Sequence, residues 1–264
     1  MTIRVVIAGP RGKMGQEAVH TVMNDDNMEL VAVLDHKELA PNLAQYEMFP
    51  DEYDVPVYTE LHTLFDVIQA DVFVDLTTPK VGYEHTKTAL FAGVRPVIGT
   101  TGFSDAQLEE LVSLSKTSEV GCIIAPNFAI GAVLMMKFAQ MAANYFSDVE
   151  IIEMHHADKK DAPSGTALAT AKMIAKNRPE HETAPDEVET LENVRGGDYQ
   201  GIKIHSVRLP GYIAHEQVLF GGPGEALTIR QDSFDRESFM GGVKVALEKV
   251  DQLDELVVGL ENIL

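Results

Sequence analysis

An apolar run that opens into three evenly spaced glycines constrains this chain more than any other feature. Ile3-Arg4-Val5-Val6-Ile7-Ala8 leads directly into Gly9-Pro10-Arg11-Gly12-Lys13-Met14-Gly15, and Gln16 to Met23 then carries helical periodicity. A second apolar run, Leu30 to Leu34, ends at Asp35. Strand, glycine-rich turn, helix and strand make a βαβ unit, which requires a parallel sheet and a right-handed crossover.

The alternation continues. Val72 to Leu76 reads as a strand, Tyr83 to Ala92 as a helix, Pro96 to Ile98 as a strand, Asp105 to Ser115 as a helix capped by Ser104, and residues 121–125 as a further strand. This pattern predicts an α/β fold with an N-terminal Rossmann-like, doubly wound parallel sheet. After Phe128 the texture changes. Ile130 to Phe146 reads as a long helix rich in Met and Ala, Val149 to Met154 as a strand, and Ala167 to Lys176 as a helix. Residues 177–200 form a polar loop marked by Pro179, Pro185 and Gly196-Gly197. Ile202 to Arg208, Ala214 to Phe220 and Ala226 to Gln231 read as closely spaced strands, so a C-terminal α+β domain with a mixed sheet is expected. Ser238 to Leu264 reads as an amphipathic helix that returns to the first domain. The expected division is therefore residues 1–128 plus 239–264 as a dinucleotide-binding domain, and residues 129–238 as a substrate domain.

The glycines have separate tasks. Gly9 permits the tight turn, Gly12 lets backbone approach a pyrophosphate, and Gly15 allows close packing of helix on strand. The spacing is G-x-x-G-x-x-G, with Arg11 where the commoner pattern has its second glycine. Arg11 and Lys13 add positive charge beside Pro10 and Met14. Asp35 lies twenty residues beyond Gly15, where an acid accepts a ribose hydroxyl. His36 and Lys37 follow at once and could neutralise a 2′-phosphate, so both NADH and NADPH are expected to serve. Gly99-Thr100-Thr101-Gly102 and Ala125-Pro126-Asn127-Phe128 stand beyond two later strands, on the same crevice.

The chain has 264 residues, 41 acidic against 21 basic, and a net charge of −20. That balance excludes nucleic acid and anionic membrane surfaces as partners, since both need a basic face. Cys122 is the one cysteine, so no intrachain disulfide can form, and its apolar setting argues against a nucleophile. No apolar run is long enough to span a bilayer, and the first residues lack a signal-peptide pattern, so a cytoplasmic protein is expected. No metal site is expected.

The densest chemistry lies at His155-His156-Ala157-Asp158-Lys159-Lys160-Asp161-Ala162-Pro163-Ser164-Gly165-Thr166-Ala167. A strand delivers two imidazoles, and adjacent side chains on a strand face opposite ways. One imidazole therefore meets the reacting atom while the other binds or orients. Ser164, Gly165 and Thr166 open a helix whose free N–H groups suit a carboxylate. Proton donors beside an anion cradle point to a small carboxylate substrate that is protonated during reaction.

These motifs resemble those of the dihydrodipicolinate reductase family. The likeness rests on Val6 to Gly15, on Gly99 to Phe103, on Ala125 to Phe128, and above all on Glu150-Ile151-Ile152-Glu153-Met154-His155-His156 with Lys159 and Asp161 to Ala167. It spans essentially the whole chain. The resemblance implies NAD(P)H-dependent reduction of a cyclic, unsaturated dicarboxylate in lysine and diaminopimelate synthesis. It implies a homotetramer built by the second domain's sheet. It also implies that His155 donates and accepts a proton and that Lys159 is a second proton donor. His156, Gly165 and Thr166 match substrate-binding positions, with Ser164 in the same loop. Gly9 to Met14, Asp35, Gly99 to Thr101 and Ala125 to Phe128 match cofactor-binding positions, and Lys37 lies where a 2′-phosphate could be met. With the acid and the hydride donor on different domains, closure between them is expected. The chain departs from the family's frequent Glu-Arg at Asp35-His36, and from its basic filling at Ala157-Asp158.

Overall fold

The computed structural model describes residues 2–37, 40–179 and 188–264. The chain divides into two compact units, Met1–Phe128 with Phe239–Leu264, and Ala129–Ser238.

The first unit is a seven-stranded parallel sheet. Its strands are β1 (Ile3–Ala8), β2 (Met28–Leu34), β3 (Val57–Tyr58), β4 (Val72–Asp75), β5 (Arg95–Ile98), β6 (Cys122–Ile124) and, from the C-terminal tail, β12 (Leu256–Val258). The spatial order is β12-β6-β5-β4-β1-β2-β3, with every pairing parallel. The order reverses between β1 and β4, which opens a crevice at the strands' carboxyl ends. Strands buried on both faces read as unbroken apolar runs, and Val5, Val6, Ile7, Phe73, Val74, Ile98 and Ile123 are almost wholly buried. The helices of this unit are α1 (Lys13–Met23), α2 (Leu61–Val67), α3 (Pro79–Phe91), α4 (Asp105–Ser118) and α7 (Met240–Lys249). Ser104 caps α4 through a reciprocal pair with Gln107.

The tail departs from expectation. Helix ends at Lys249, and Leu256–Val258 extends the sheet beside β6 instead. Three apolar residues in a row, Leu256-Val257-Val258, suit an edge strand as well as a helix face, and periodicity cannot separate such short runs. β3 was equally invisible, being two residues long.

The second unit has helices α5 (Ile130–Ala142) and α6 (Gly165–Ala175) and strands β7 (Asp148–His155), β8 (Gly197–Tyr199), β9 (Ile202–Arg208), β10 (Ala214–Gly222) and β11 (Glu225–Ser233). The sheet is mixed, in the order β11-β10-β7-β9-β8, with β7 and β9 the parallel pair. Met135, Met136, Ala139, Ala167, Ala171 and Ile174 from the two helices pack on Ile151, Val218, Phe220, Ile202 and Ile204. α5 is shorter than expected, ending at Ala142. Of the polar loop expected at 177–200, residues 180–187, Pro185 among them, lie outside the described residues. Its far end is strand β8 rather than loop.

Two glycines hold the first unit's helices close. A Cβ on Gly15 would meet the Gly9 carbonyl oxygen at 2.0 Å, and one on Gly242 would meet the Phe128 carbonyl oxygen at 1.9 Å. Gly242 lies in α7, where helix propensity alone favours alanine by about 1 kcal/mol. The contact reverses that sign. Gly242→Ala should destabilise the chain by roughly 1–3 kcal/mol, the usual cost of overpacking, in urea unfolding. A stabilised variant would show that α7 does not sit this close.

Candidate active site

The first unit's crevice is a cradle for a nucleotide. Gly9 takes φ +80, a conformation costly for any residue with a Cβ, and its N–H donates to the Leu34 carbonyl at 3.0 Å. The chain turns there, Gly12 donates to the Gly9 carbonyl, and α1 begins at Lys13. The helix end carries no side-chain cap and no acid in its first turn, so its N–H groups are left to an anion. The crevice is lined by Gly9, Arg11, Gly12, Asp35, Thr77 and His85, among others. Pro10 is buried, Met14 half-buried, and Lys13 exposed at the start of α1. Gly99 lies against Phe128, a Cβ there meeting its ring at 2.9 Å, and Thr100 is buried, donating to Asp75 at 3.1 Å. Thr101 and Pro126 are exposed, Asn127 is half-buried, and Ala125 is buried where β6 ends.

Arg11, expected beside a pyrophosphate, is paired with Asp35. Its guanidinium grips both oxygens of Asp35, with Nη2 to Oδ1 at 2.7 Å and Nε to Oδ2. Asp35 is 2% exposed and also accepts from the Lys37 N–H at 3.1 Å and the Tyr46 hydroxyl at 3.3 Å. Burial pushes its carboxyl up, but Arg11 and these donors outweigh burial and hold it below the usual carboxylate range. The acid expected at the ribose thus accepts from Arg11, Lys37 and Tyr46, and Arg11 balances its charge. His36 and the Lys37 side chain stand exposed beside it.

Asp75 was missed at the sequence level, as were Thr77 and His85. Asp75 is fully buried at the end of β4, where it receives the N–H and hydroxyl of Thr77, the hydroxyl of Thr100, and a bond from His85 Nδ1 at 2.7 Å. It ties the turn after β4 to the Gly99–Thr101 loop. An acid closing an apolar strand was the available signal.

In the second unit, β7 and α6 carry the residues expected to handle protons and substrate. His155 ends β7 with its side chain 14% exposed, and its Nδ1 lies 2.5 Å from Glu153 Oε2. Residues two apart on a strand share a face, which is why Glu153 can reach. Glu153 is fully buried and accepts much more: Arg208 binds it with two nitrogens at 2.8 and 2.7 Å, and the Ser164 N–H donates at 3.1 Å. Burial raises its carboxyl, yet His155, Arg208 and Ser206 overcome that and lower it from 4.5 to about 2. Arg208 also donates to the Asp161 carbonyl at 2.7 Å, so one carboxylate organises the strand end, the loop and the helix start.

The remaining residues fall around this centre. His156 is exposed, and its carbonyl accepts the Lys159 N–H at 3.2 Å in a turn. Lys159 Nζ is chelated by Asp161 at 2.8 and 3.0 Å. Ser164 is buried, and its hydroxyl caps α6 by accepting the Ala167 N–H at 3.1 Å. Gly165 is exposed with nothing within 4 Å of where a Cβ would lie, and Thr166 follows, half-buried. No acid stands in the first turn of α6. Glu153 and Arg208 were missed as site residues, although alternation along Glu153-Met154-His155 carried the first. Cys122 is fully buried and burial pushes its thiol up, which removes it as a nucleophile. Among the described residues no group of His, Cys, Asp or Glu could hold a metal ion, and no helix is long and apolar enough to cross a membrane.

A Rossmann-type unit with a nucleotide cradle, joined to a unit that sets an imidazole and a lysine near a helix start free of acid, defines a pyridine-nucleotide-dependent oxidoreductase. Residues 3–128 match the family model "Dihydrodipicolinate reductase, N-terminus", and residues 131–264 match "Dihydrodipicolinate reductase, C-terminus". The chain belongs to the dihydrodipicolinate reductase family. It is 67% identical to a 4-hydroxy-tetrahydrodipicolinate reductase of Lactobacillus helveticus (strain DPC 4571), over 100% of this chain and 99% of that one. It is 56% identical to the reductase of that name from Bacillus subtilis (strain 168), over 100% and 98%. Its fold matches a dipicolinate-bound dihydrodipicolinate reductase from Paenisporosarcina sp. TG-14 with a TM-score of 0.92, 62% identity and full coverage of both chains.

Glu153→Gln keeps the side chain's shape but leaves the Arg208 guanidinium without its charge partner. Breaking such a buried pair should cost about 3–5 kcal/mol in urea unfolding at neutral pH. The folded carboxyl is depressed from 4.5 to about 2, so its stabilisation is complete above 4.5 and lost as pH falls towards 2. Wild type and variant should therefore converge in acid. A gap that stays constant to pH 2 would show that charge is not the cause.

Proposed function

We propose that this chain reduces 4-hydroxy-tetrahydrodipicolinate to tetrahydrodipicolinate with NADH or NADPH, in the synthesis of lysine and diaminopimelate. The observation that carries the reading is the Glu153–His155 pair beside the uncapped-by-acid start of α6. Further support comes from the family membership and from the dipicolinate held by the related structure from Paenisporosarcina sp. TG-14. In net terms a hydride replaces the ring hydroxyl, which leaves with a proton as water.

Residues 1–128 with 239–264 would be the dinucleotide domain. Gly9, Pro10, Arg11, Gly12, Lys13 and Met14 would hold the diphosphate end, Asp35 and Lys37 the adenosine ribose, and Gly99, Thr100, Thr101, Ala125, Pro126, Asn127 and Phe128 the nicotinamide half. The reduced nicotinamide, when bound, supplies the hydride. The residues fit the group: a left-handed Gly9, a Gly15 that admits no Cβ and an α1 start free of acid. The Arg11–Asp35 pair bears on cofactor choice. Arg11 cancels the charge that would repel a 2′-phosphate, while Asp35 keeps the acid that serves NADH.

Residues 129–238 would bind substrate and, through their sheet, assemble a homotetramer. His156, Ser164, Gly165 and Thr166 would hold the carboxylates of the cyclic dicarboxylate, the last two through first-turn N–H groups. His155 Nδ1 is committed to Glu153, so Nε2 is the nitrogen that exchanges a proton with the ring. Lys159 would leave Asp161 for a substrate carboxylate or the ring and give the second proton. A cytoplasmic location follows for an enzyme that draws on the NAD(P)H pool.

One assay tests the reading. With enzymatically made substrate, absorbance loss should be seen with NADPH and with NADH, their kcat/KM values within roughly a thousandfold, about 4 kcal/mol. Lys159→Ala should lose at least ~100-fold in kcat, a usual general-acid contribution, and keep its NADPH affinity. Turnover that persists while NADPH affinity collapses would overturn the assignment of Lys159.

A further inference from the structure

His85 carries a ring nitrogen that the chemistry proposed above does not use. Its Nδ1 lies 2.7 Å from Asp75 Oδ2, and its ring packs edge-on against Phe73, with centroids 5.8 Å apart and planes at 82°. Asp75 and Phe73 are both fully buried, so the core fixes the imidazole from two sides.

The bonds of Asp75 decide which nitrogen holds the proton. Its Oδ1 receives the N–H and hydroxyl of Thr77 and the hydroxyl of Thr100, while Oδ2 has His85 alone. A buried carboxylate needs a donor on each oxygen, and only a protonated Nδ1 supplies one to Oδ2. In the neutral ring Nε2 is then bare and can only accept. No described residue bonds Nε2.

The His85 side chain keeps 20% exposure, and it lines the nucleotide crevice. Val81 lines the crevice too, one turn earlier on the same face of α3, and is 40% exposed. An apolar side chain beside a polar ring edge suits a flat heterocycle with hydrogen-bonding groups on its rim. The same crevice takes Arg11 and Asp35, and none of the residues assigned above to the nicotinamide half. It is therefore the adenosine end of a pyridine nucleotide that His85 faces. Phosphate oxygens only accept, so a bare Nε2 offers them nothing. The ribose hydroxyls are those that Asp35 is placed to receive. The base presents the remaining donor, the 6-amino group of adenine.

We propose that His85 recognises the base of the dinucleotide: Nε2 accepts a hydrogen bond from the adenine 6-amino group, and Val81 packs on the ring. Asp75 is the positioning residue, acting through His85 by holding the proton on Nδ1. The proposal rests on the reading of the Asp35 side of the crevice as the adenosine site.

Calorimetry in mildly alkaline buffer, with NADH and with its deamino analogue, tests this contact. The analogue carries hypoxanthine, with a carbonyl oxygen in place of the amine, so that two acceptors would face each other. Wild type should bind NADH about tenfold more tightly than the analogue, the cost of a hydrogen bond lost with a polar atom left unpaired. His85→Asn keeps a side-chain N–H for Asp75 and removes Nε2. It should bind the two dinucleotides alike, with about the affinity that wild type has for the analogue. A merely structural role would weaken both by one factor and leave the tenfold ratio standing, which would overturn the proposal. A wild-type ratio near one would also overturn it. So would a loss in His85→Asn confined to NADPH, which would place the imidazole at the 2′-phosphate. If wild type binds neither NADH nor the analogue, the adenosine reading of the crevice falls, and the proposal with it.

Wild type alone gives a second readout. In nitrogen NMR with labelled histidine, one ring that persists in His155→Gln should carry its proton on Nδ1 and have a bare Nε2. That Nε2 signal should shift when NADH is added and stay in place with the analogue. The absence of any ring that responds to NADH would overturn the proposal, as would a responding ring protonated on Nε2.

Discussion

A fully buried carboxylate, Glu153, is the point on which the second unit depends. It is bonded by an imidazole, a guanidinium and a backbone N–H from three different places in the chain. Burying that charge is expensive, and only complete bonding makes it tolerable. The cost brings order. Because every oxygen lone pair in use is assigned, His155 has one orientation, Arg208 is fixed over the loop carbonyl of Asp161, and α6 starts where Ser164 donates. A loop that otherwise consists of exposed polar residues thereby acquires a defined shape.

The same logic explains how a chain of net charge −20 can serve anionic ligands. Three of its site cations are not loose attractors. Arg11 is paired with Asp35, Lys159 with Asp161 and Arg208 with Glu153. The fields of these pairs largely cancel, so in the proposed reading anions would lean on backbone N–H groups at the starts of α1 and α6, neither of which has an acid in its first turn. Glycine at both helix starts, Gly12 and Gly165, leaves room for a ligand to come close.

Much of the fold was legible in the sequence because its signals were local. Unbroken apolar strands, the spacing of Gly9, Gly12 and Gly15, and the Ser104–Gln107 capping box each report on a few adjacent residues. The tail misled, since Leu256-Val257-Val258 fits a helix or a strand until the open edge of β6 selects the strand. The site divided in the same way. His155, Lys159 and the Ser164–Thr166 start were readable as a cluster in one segment. Arg208 lies 55 positions from Glu153, and only the β7–β9 register brings them together. The Arg11–Asp35 pair was likewise not legible, because sequence spacing shows that both line one crevice and not that they bond each other.

The account turns on Glu153 dictating the protonation of His155, and nitrogen NMR of the imidazole ring measures that directly. With selectively labelled histidine, and His155 assigned by its loss in a His155→Gln variant, the neutral ring should carry its proton on Nδ1 and leave Nε2 bare. A neutral ring protonated on Nε2 would contradict the account, because Nδ1 would then face the Glu153 carboxylate with no proton to give it.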